Sequence, residues 1–411
     1  MDAIAEQIVS MGFNCVRLTW PLFFITDNSL GSLTVRRSFQ RLGLLEPIVG
    51  IQANNPSIID ATLIEAFQAV VSSLGENNVM VILDNHISKP GWCCGLLRWR
   101  WFFRGPKQNM NDWYRYMQKG AEAVHAANPN ILVILSGLNY DRDLSFIQTR
   151  PLTLTFNRKL VFELHWYGFS DGDAWVTSNP NRMCGKVIDY TMKTSGFLVD
   201  AGYPLLVSEF GIDIRGTNVN DNRYLNCFLG VVAELDLDWA RWTLVGSYYV
   251  REGTVGFNEY YGILDWNWID IRNSRFIERI SALQSPFRDW AHVSTRNHGI
   301  THLIRLLELK GSNLCLQADE SGTMAKLGIN DDGSNSKWEM ISDSIMHISS
   351  TLKNGKSVCL DVDSNNNIVM NGCKCLNQDN RCDPGSQWFK LVDSTRSGKR
   401  RKTLGRIRFN H

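Results

Sequence analysis

The chain has 411 residues, 44% hydrophobic and 20% charged, the balance of a globular protein with a packed core and a length that predicts two domains. No run approaches the roughly 18 consecutive apolar residues of a spanning helix, so no membrane partner is expected. Arg396–His411 hold seven Lys or Arg and no acid, and subtracting those seven from the net charge of +2 leaves −5 for residues 1–395. A mildly acidic body gives no support to nucleic-acid binding, and Lys399-Arg-Arg-Lys402 reads as a solvated tail in preference to a nuclear address.

Helical periodicity opens the chain at Asp2–Met11 and returns at Ser57–Leu74, Asn111–Ala127 and Met183–Asp200. Between these lie short apolar strand candidates: Asn14–Trp20, Val79–Asp84, Ile131–Ser136, Leu160–Trp166, Pro204–Glu209 and Trp239–Ser247. Strands separated by helices at this spacing predict a parallel α/β sheet, and the length suits a (β/α)8 TIM barrel, although six strands are visible where eight are needed. Beyond about residue 311 the texture changes to short strands broken by Gly, Asn, Asp and Ser: Gly311–Asp319, Lys337–Ile341, Ser357–Val362 and Gln387–Val392. Leu314-Cys-Leu-Gln317 followed by Trp338, and Val358-Cys-Leu-Asp361 followed by Trp388, read as two copies of one β unit. The expected domains are a barrel at 1–288, a linker at 289–310, an all-β module at 311–395 and a basic tail at 396–411.

Ten cysteines bear on compartment, five of them between Cys315 and Cys382. Zinc is disfavoured because Cys373 and Cys375 are one residue apart, where structural sites use two to four. Disulfides fit better and imply an oxidising, secretory compartment. Met1-Asp-Ala-Ile-Ala-Glu-Gln does not read as a signal peptide, so the two signals conflict.

Polar and aromatic residues gather at the C-terminal ends of the strands: Arg17 and Trp20, Asp84-Asn-His86, Asn139-Tyr140, His165-Trp-Tyr167, Glu209 and Trp242. In a barrel these positions converge on the face where active sites are built. Glu209 is the sharpest case, a carboxylate ending the buried run Pro204-Leu-Leu-Val-Ser-Glu209, where a charge is costly unless used or paired. Tryptophan and tyrosine around such a mouth suggest sugar rings, and glycoside hydrolysis needs two carboxyl groups, of which Glu209 supplies one.

Val16-Arg-Leu-Thr-Trp20, Asp84-Asn-His86, His165-Trp-Tyr167, Ser208-Glu-Phe-Gly211 and Trp239–Trp242 together resemble glycoside hydrolase family 5, the cellulase-like retaining (β/α)8 enzymes. The likeness is nearest to its plant branch, whose members carry a C-terminal ricin-B-like β-trefoil. The resemblance implies that Glu209 is the nucleophile and that Arg17 supports it. It also implies that His86, Asn139, His165 and Tyr167 line the sugar site and that Trp242 is a stacking platform. It implies a carbohydrate substrate, a monomer, and no metal or cofactor.

Three departures follow. The family's acid/base is a Glu after an Asn at the end of the fourth barrel strand, yet no Asn-Glu occurs between His86 and Asn139, where the single Glu is Glu122. Gly95–Phe103, at that place, shows no strand alternation. The chain opens on what resembles the family's first helix, so a first strand is expected to be missing with the fourth. Such departures match misjoined exons or a decayed copy, and they predict an incomplete barrel with a partial trefoil: an impaired, sugar-binding pseudoenzyme is the alternative to a working hydrolase. In the second module Asp361 matches the ricin-type residue that accepts hydrogen bonds from sugar hydroxyls. Its helpers are altered, with Asn371 in place of an aromatic platform, so packing is favoured over sugar binding. The calcium-like run Asp361–Asn367 is rejected because Asn366 stands where Gly is needed and Gly372 where Glu is needed.

Overall fold

A computed structural model describes residues 1–91, 109–156, 158–281, 283–284, 302–304, 314–319, 321–329, 337–365 and 367–391. They fall into two compact units, Met1–Asn109 with Leu244–Arg272, and Met110–Thr243 with Asn273–His411. Gly95–Phe103, most of the expected linker and the basic tail lie outside the described residues.

In the first unit, helix α1 (Asp2–Ser10) sets Ala5 and Ile8 against Leu74 and Val79. Strand β1 (Cys15–Pro21) pairs in parallel with β2 (Met80–Ile87), Arg17 opposite Ile82 and Thr19 opposite Asp84. Between them α2 (Leu63–Glu76) starts at a capping box: Glu65 N–H donates to Thr62 Oγ1, and Thr62 N–H donates to Glu65 Oε2 at 2.8 Å. That box moves the helix start from the expected Ser57 to Leu63. Ser247–Arg251 and Thr254–Asn258 form an antiparallel hairpin whose loop, Glu252 and Gly253, has φ of +51° and +83°, the left-handed pair that a two-residue turn requires.

In the second unit, α3 (Met110–Ala127) leads into a parallel sheet in the order β3 (Val133–Leu135), β4 (Leu160–Tyr167), β5 (Leu205–Gly211), β6 (Asp238–Arg241). All of β4 is buried, as a parallel strand covered on both faces must be. Helix α4 (Pro180–Thr191) begins at Asn179, whose side chain accepts from Arg182 N–H, with Pro180 in the first turn. It runs into a π turn, Met192–Gly196, and a short helix, Phe197–Asp200, so the expected single helix Met183–Asp200 starts earlier and is interrupted. Helix α5 (Val219–Leu235) is nearly continuously buried from Asp221 to Ala233. Its Phe228 stacks on Phe210 of β5 at 4.1 Å and meets Trp166 of β4 edge-on at 5.5 Å. A disulfide, Cys184–Cys227, ties α4 to α5.

The expected strand Trp239–Ser247 is shorter than read: β6 ends at Arg241, and Ser247 belongs to the hairpin.

The C-terminal part of the same unit is all β. It holds a four-stranded antiparallel sheet (Glu339–Met340, Ile348–Thr351, Ser357–Val362, Ile368–Asn371), a hairpin (Leu314–Ala318, Ala325–Ile329) and a separate parallel pair, His302–Ile304 with Phe389–Leu391. Its core holds Ala318, Ile348, Leu352, Val358, Leu360, Met370 and Phe389. Cys359–Cys373 and Cys375–Cys382 are disulfides, so these thiols are not zinc ligands. Asparagines fasten this part to α4: Asn179 Nδ2 donates to the carbonyls of Cys375 and Asn377, Asn181 Nδ2 to that of Cys375, and Trp388 Nε1 to Asn181 Oδ1 at 2.7 Å. The approach is close at Gly185, where a Cβ would lie 2.5 Å from the Asp343 carbonyl oxygen. Among the described residues no helix is long and apolar enough to cross a membrane.

His347 is buried in this module, with Nδ1 3.0 Å from Ser342 Oγ. Burial, aided by the Lys374 charge and opposed by Asp361, lowers its pKa to about 4. A folded-state pKa below the unfolded value of about 6.5 means that the unfolded chain binds the extra proton. Stability is therefore full above about pH 6.5 and is lost as pH falls toward 4. Thermal unfolding is expected to shift to lower temperature between pH 7 and 5, and His347→Gln is expected to flatten that dependence; an unchanged slope in the variant contradicts this assignment.

Candidate active site

Alternation along β4 puts Glu163, His165 and Tyr167 on one face and Phe162, Leu164 and Trp166 on the other. Of the second set, Trp166 packs edge-on against Tyr224 and Phe228 of α5, and Phe162 against Tyr203. The first set meets β5, where His165 lies opposite Glu209. Tyr167 Oη donates to Glu209 Oε1 at 2.9 Å, and His165 Nδ1 lies 3.8 Å from the same oxygen. His165 Nε2 lies 3.4 Å from Asp141 Oδ2, and its backbone N–H donates to the Asp141 carbonyl.

The turn after β3 delivers Asp141. Asn139, Tyr140 and Asp141 have φ of +52°, +57° and +59°, a left-handed run that Asn and Asp tolerate better than most residues. Leu138 and Asp143 exchange backbone hydrogen bonds across it, and a Cβ on Gly137 would lie 2.8 Å from the Asp143 oxygen. Asn139, the residue expected in the site, is exposed at this turn, while Asp141 two positions on is fully buried. Donor atoms of Asp141, Glu163 and His165 lie within 4.8 Å of one another. Two carboxylates and an imidazole at that spacing suit a divalent cation, but the 3.4 Å separation of His165 and Asp141 is already that of an ion pair. Sequence reasoning missed Asp141 because Asp is common in turns. It also missed Glu163, whose signal was there: an acid in phase with His165 and Tyr167 on a buried strand.

Trp242 follows β6, its N–H donating to the Phe210 carbonyl at 2.7 Å, and the Trp242–Thr243 peptide is cis.

In the first unit Arg17 and His86 stand on neighbouring strands and share one carboxylate. Asp84 Oδ2 accepts from Arg17 Nη2 at 3.0 Å and from His86 Nδ1 at 2.8 Å, all three side chains being largely buried. Asp84 therefore fixes which His86 nitrogen is protonated and aligns the guanidinium.

Asp361 of the C-terminal module is buried, and its Oδ2 accepts from Gln387 Nε2, Lys374 Nζ and Asn371 Nδ2 at 3.0, 3.0 and 3.1 Å. Burial pushes its carboxyl upward, but hydrogen bonds from Ser386, Gln387 and Lys374, with the lysine charge, outweigh it and hold the group below the ordinary carboxylate range. Its own neighbours thus use the oxygen that a sugar would need. Asp361→Ala is expected to cost about 1–3 kcal/mol of stability, read as a lower midpoint in denaturant. Retention on immobilised glycans is expected to be unchanged, and its loss with stability intact would contradict this reading.

Residues 98–247 match the family model of cellulase, glycosyl hydrolase family 5. A glycosyl hydrolase 5 family protein of Chamaecyparis obtusa is 35% identical over 478 residues, covering 96% of this chain and 85% of the relative. Among solved structures, the hyperthermophilic endocellulase of the archaeon Pyrococcus horikoshii aligns at a TM-score of 0.50 and 15% identity, over 69% of this chain and 86% of that one. Its complex with cellotetraose aligns with the same score and identity, over 69% and 85%. The parallel strands here accordingly belong to a (β/α)8-type α/β fold. The chain is a glycosidase-type hydrolase. It belongs to glycosyl hydrolase family 5.

Proposed function

We propose that the chain is a retaining hydrolase of β-linked glycosides or glucans, with Glu209 as nucleophile. The observation that carries this is a carboxylate at the end of a buried strand, addressed by the Tyr167 hydroxyl at 2.9 Å and by His165. Such a carboxylate is held in orientation toward one face of a sugar, as attack at the anomeric carbon demands. In the first unit Arg17 and His86, aligned by Asp84, are assigned to sugar binding; in the second unit His165, Tyr167, Asn139 and Trp242 are so assigned. The endocellulase name of the structural neighbours and the bound cellotetraose of one of them favour a glucan.

Retention further requires an acid about 5–5.5 Å from the nucleophile. No Asn-Glu stands between His86 and Asn139, so the chain is assigned slow turnover of unactivated sugars. The barrel with this defect is followed by a partial trefoil of the plant type, in which Asp361 packs rather than binds. The three disulfides among the described residues support a secretory location.

Proton NMR of the first product released from an activated aryl β-glycoside tests the mechanism. The β anomer is expected, since two displacements preserve configuration; the α anomer as initial product would overturn it.

A further inference from the structure

Strand β4 runs from Tyr167 straight into a 3₁₀ turn, Gly168–Asp171, and that turn carries an aromatic ring out to solvent. Phe169 is 58% exposed. One face of its ring stacks on Tyr167, with centroids 4.6 Å apart and planes 22° from parallel. The Tyr167 hydroxyl donates to Glu209 Oε1 at 2.9 Å, so the phenol ring of Tyr167 bridges from Phe169 to the carboxylate. An exposed apolar residue standing singly is ordinary. Phe169 differs in how firmly its backbone is held. Gly168 lies so close to α5 that a Cβ there would meet the Tyr224 side chain at 3.1 Å. Arg142 grips the rest of the turn: Nη1 donates to the Ser170 carbonyl and Nη2 to Asp171 Oδ1, both at 2.9 Å. Trp175 Nε1 donates to Asp171 Oδ2 at 3.0 Å, and Gly172 N–H donates to the Phe169 carbonyl at 3.1 Å. The chain on both sides of Phe169 is thus fixed in advance, and a ring so placed has little freedom to lose on binding.

We propose that Phe169 is a sugar-stacking platform for the glycan residue next to the one held at Glu209, and that it helps to set which oligosaccharides bind. This rests on the site at Glu209 accepting sugars. The C–H groups on the face of a pyranose are apolar and weakly positive, which suits the negative face of an aromatic ring. Tyr167 turns its polar tip to the carboxylate, whereas Phe169 has apolar area and no hydrogen bond to give. It therefore recognises the face of a ring and leaves that ring's hydroxyls to water. The sugars it favours are those whose substituents are all equatorial, gluco- or xylo-configured, because an axial hydroxyl interrupts one of the two faces.

The test is isothermal titration calorimetry of the full chain with cellotetraose and with xylotetraose. Phe169→Ala is expected to weaken binding of whichever sugar the unmodified chain holds by about tenfold, the loss of one stacked face. Phe169→Trp keeps an aromatic face and is expected to bind within about threefold of the unmodified chain. Its added indole is also expected to change in fluorescence as sugar saturates the site, measured against the unmodified chain. Unchanged affinity in Phe169→Ala overturns the proposal. So does a loss in Phe169→Trp as large as that in Phe169→Ala, which would mean that Phe169 only packs on Tyr167, and so does binding of neither sugar by the unmodified chain. Should Phe169→Ala lack a cooperative thermal transition, the fluorescence of Phe169→Trp decides: a change on adding sugar supports the platform and no change overturns it. Covalent labelling of Glu209 is read separately. An adduct on Glu209 together with full affinity in Phe169→Ala removes the platform alone, while weakened binding without an adduct counts against Glu209 as nucleophile and leaves the platform standing.

Discussion

Replacing Glu209 with glutamine is expected to lower turnover of any accepted glycoside by roughly 10⁴-fold or more, because the covalent route disappears with the attacking oxygen. The amide nearly matches the carboxylate in size and still accepts from Tyr167 Oη, whose present contact is 2.9 Å. Folding is therefore expected to be preserved, with a thermal midpoint close to that of the unmodified chain. Kinetics on a dinitrophenyl glycoside read the effect. A loss below tenfold in a folded variant would show that another group attacks.

The second large effect concerns the leaving group. General acid help is worth about 10²–10⁴-fold, or roughly 3–5 kcal/mol of barrier. A chain lacking it should discriminate by leaving-group acidity. Dinitrophenyl glycosides, whose departing oxygen needs no proton, are expected to turn over at least about 10²-fold faster than the corresponding oligosaccharides. A plot of log rate against leaving-group pKa should be steep. A flat plot would mean that an acid operates and would contradict the proposed lack of one. External azide provides a control, since it should accelerate the second step without altering the first.

How much of this was legible in the sequence depended on how each element is buried. Strands β1 to β5 start within two residues of the expected positions because short, apolar runs between turn signals leave little choice. Helix α5 was not read at all: buried from Asp221 to Ala233, it has no polar stripe to give a 3.6-residue period. The start of α2 was misplaced because apolar spacing extends back to Ile58, whereas the Thr62–Glu65 capping box sets where the helix begins. At the site, His165, Tyr167 and Glu209 could be named because each ends a strand. Asp141 could not, since its place depends on three successive left-handed residues that bring a turn carboxylate inward. Asn139 was chosen from the same turn for its type, but the turn leaves it exposed. For Asp361 the residue and the doubt were legible together, because Asn371, which donates to its carboxylate at 3.1 Å, stands where an aromatic platform was expected.

The most direct test of the central claim is intact mass, with peptide mapping, after incubation with 2-fluoro glycosides bearing a dinitrophenyl leaving group. A single covalent sugar on the peptide carrying Glu209 is the expected result, and it would show that the pocket forms and the nucleophile works without the acid. No adduct across gluco-, manno- and xylo-configured reagents, or an adduct on another residue, would contradict the assignment of Glu209.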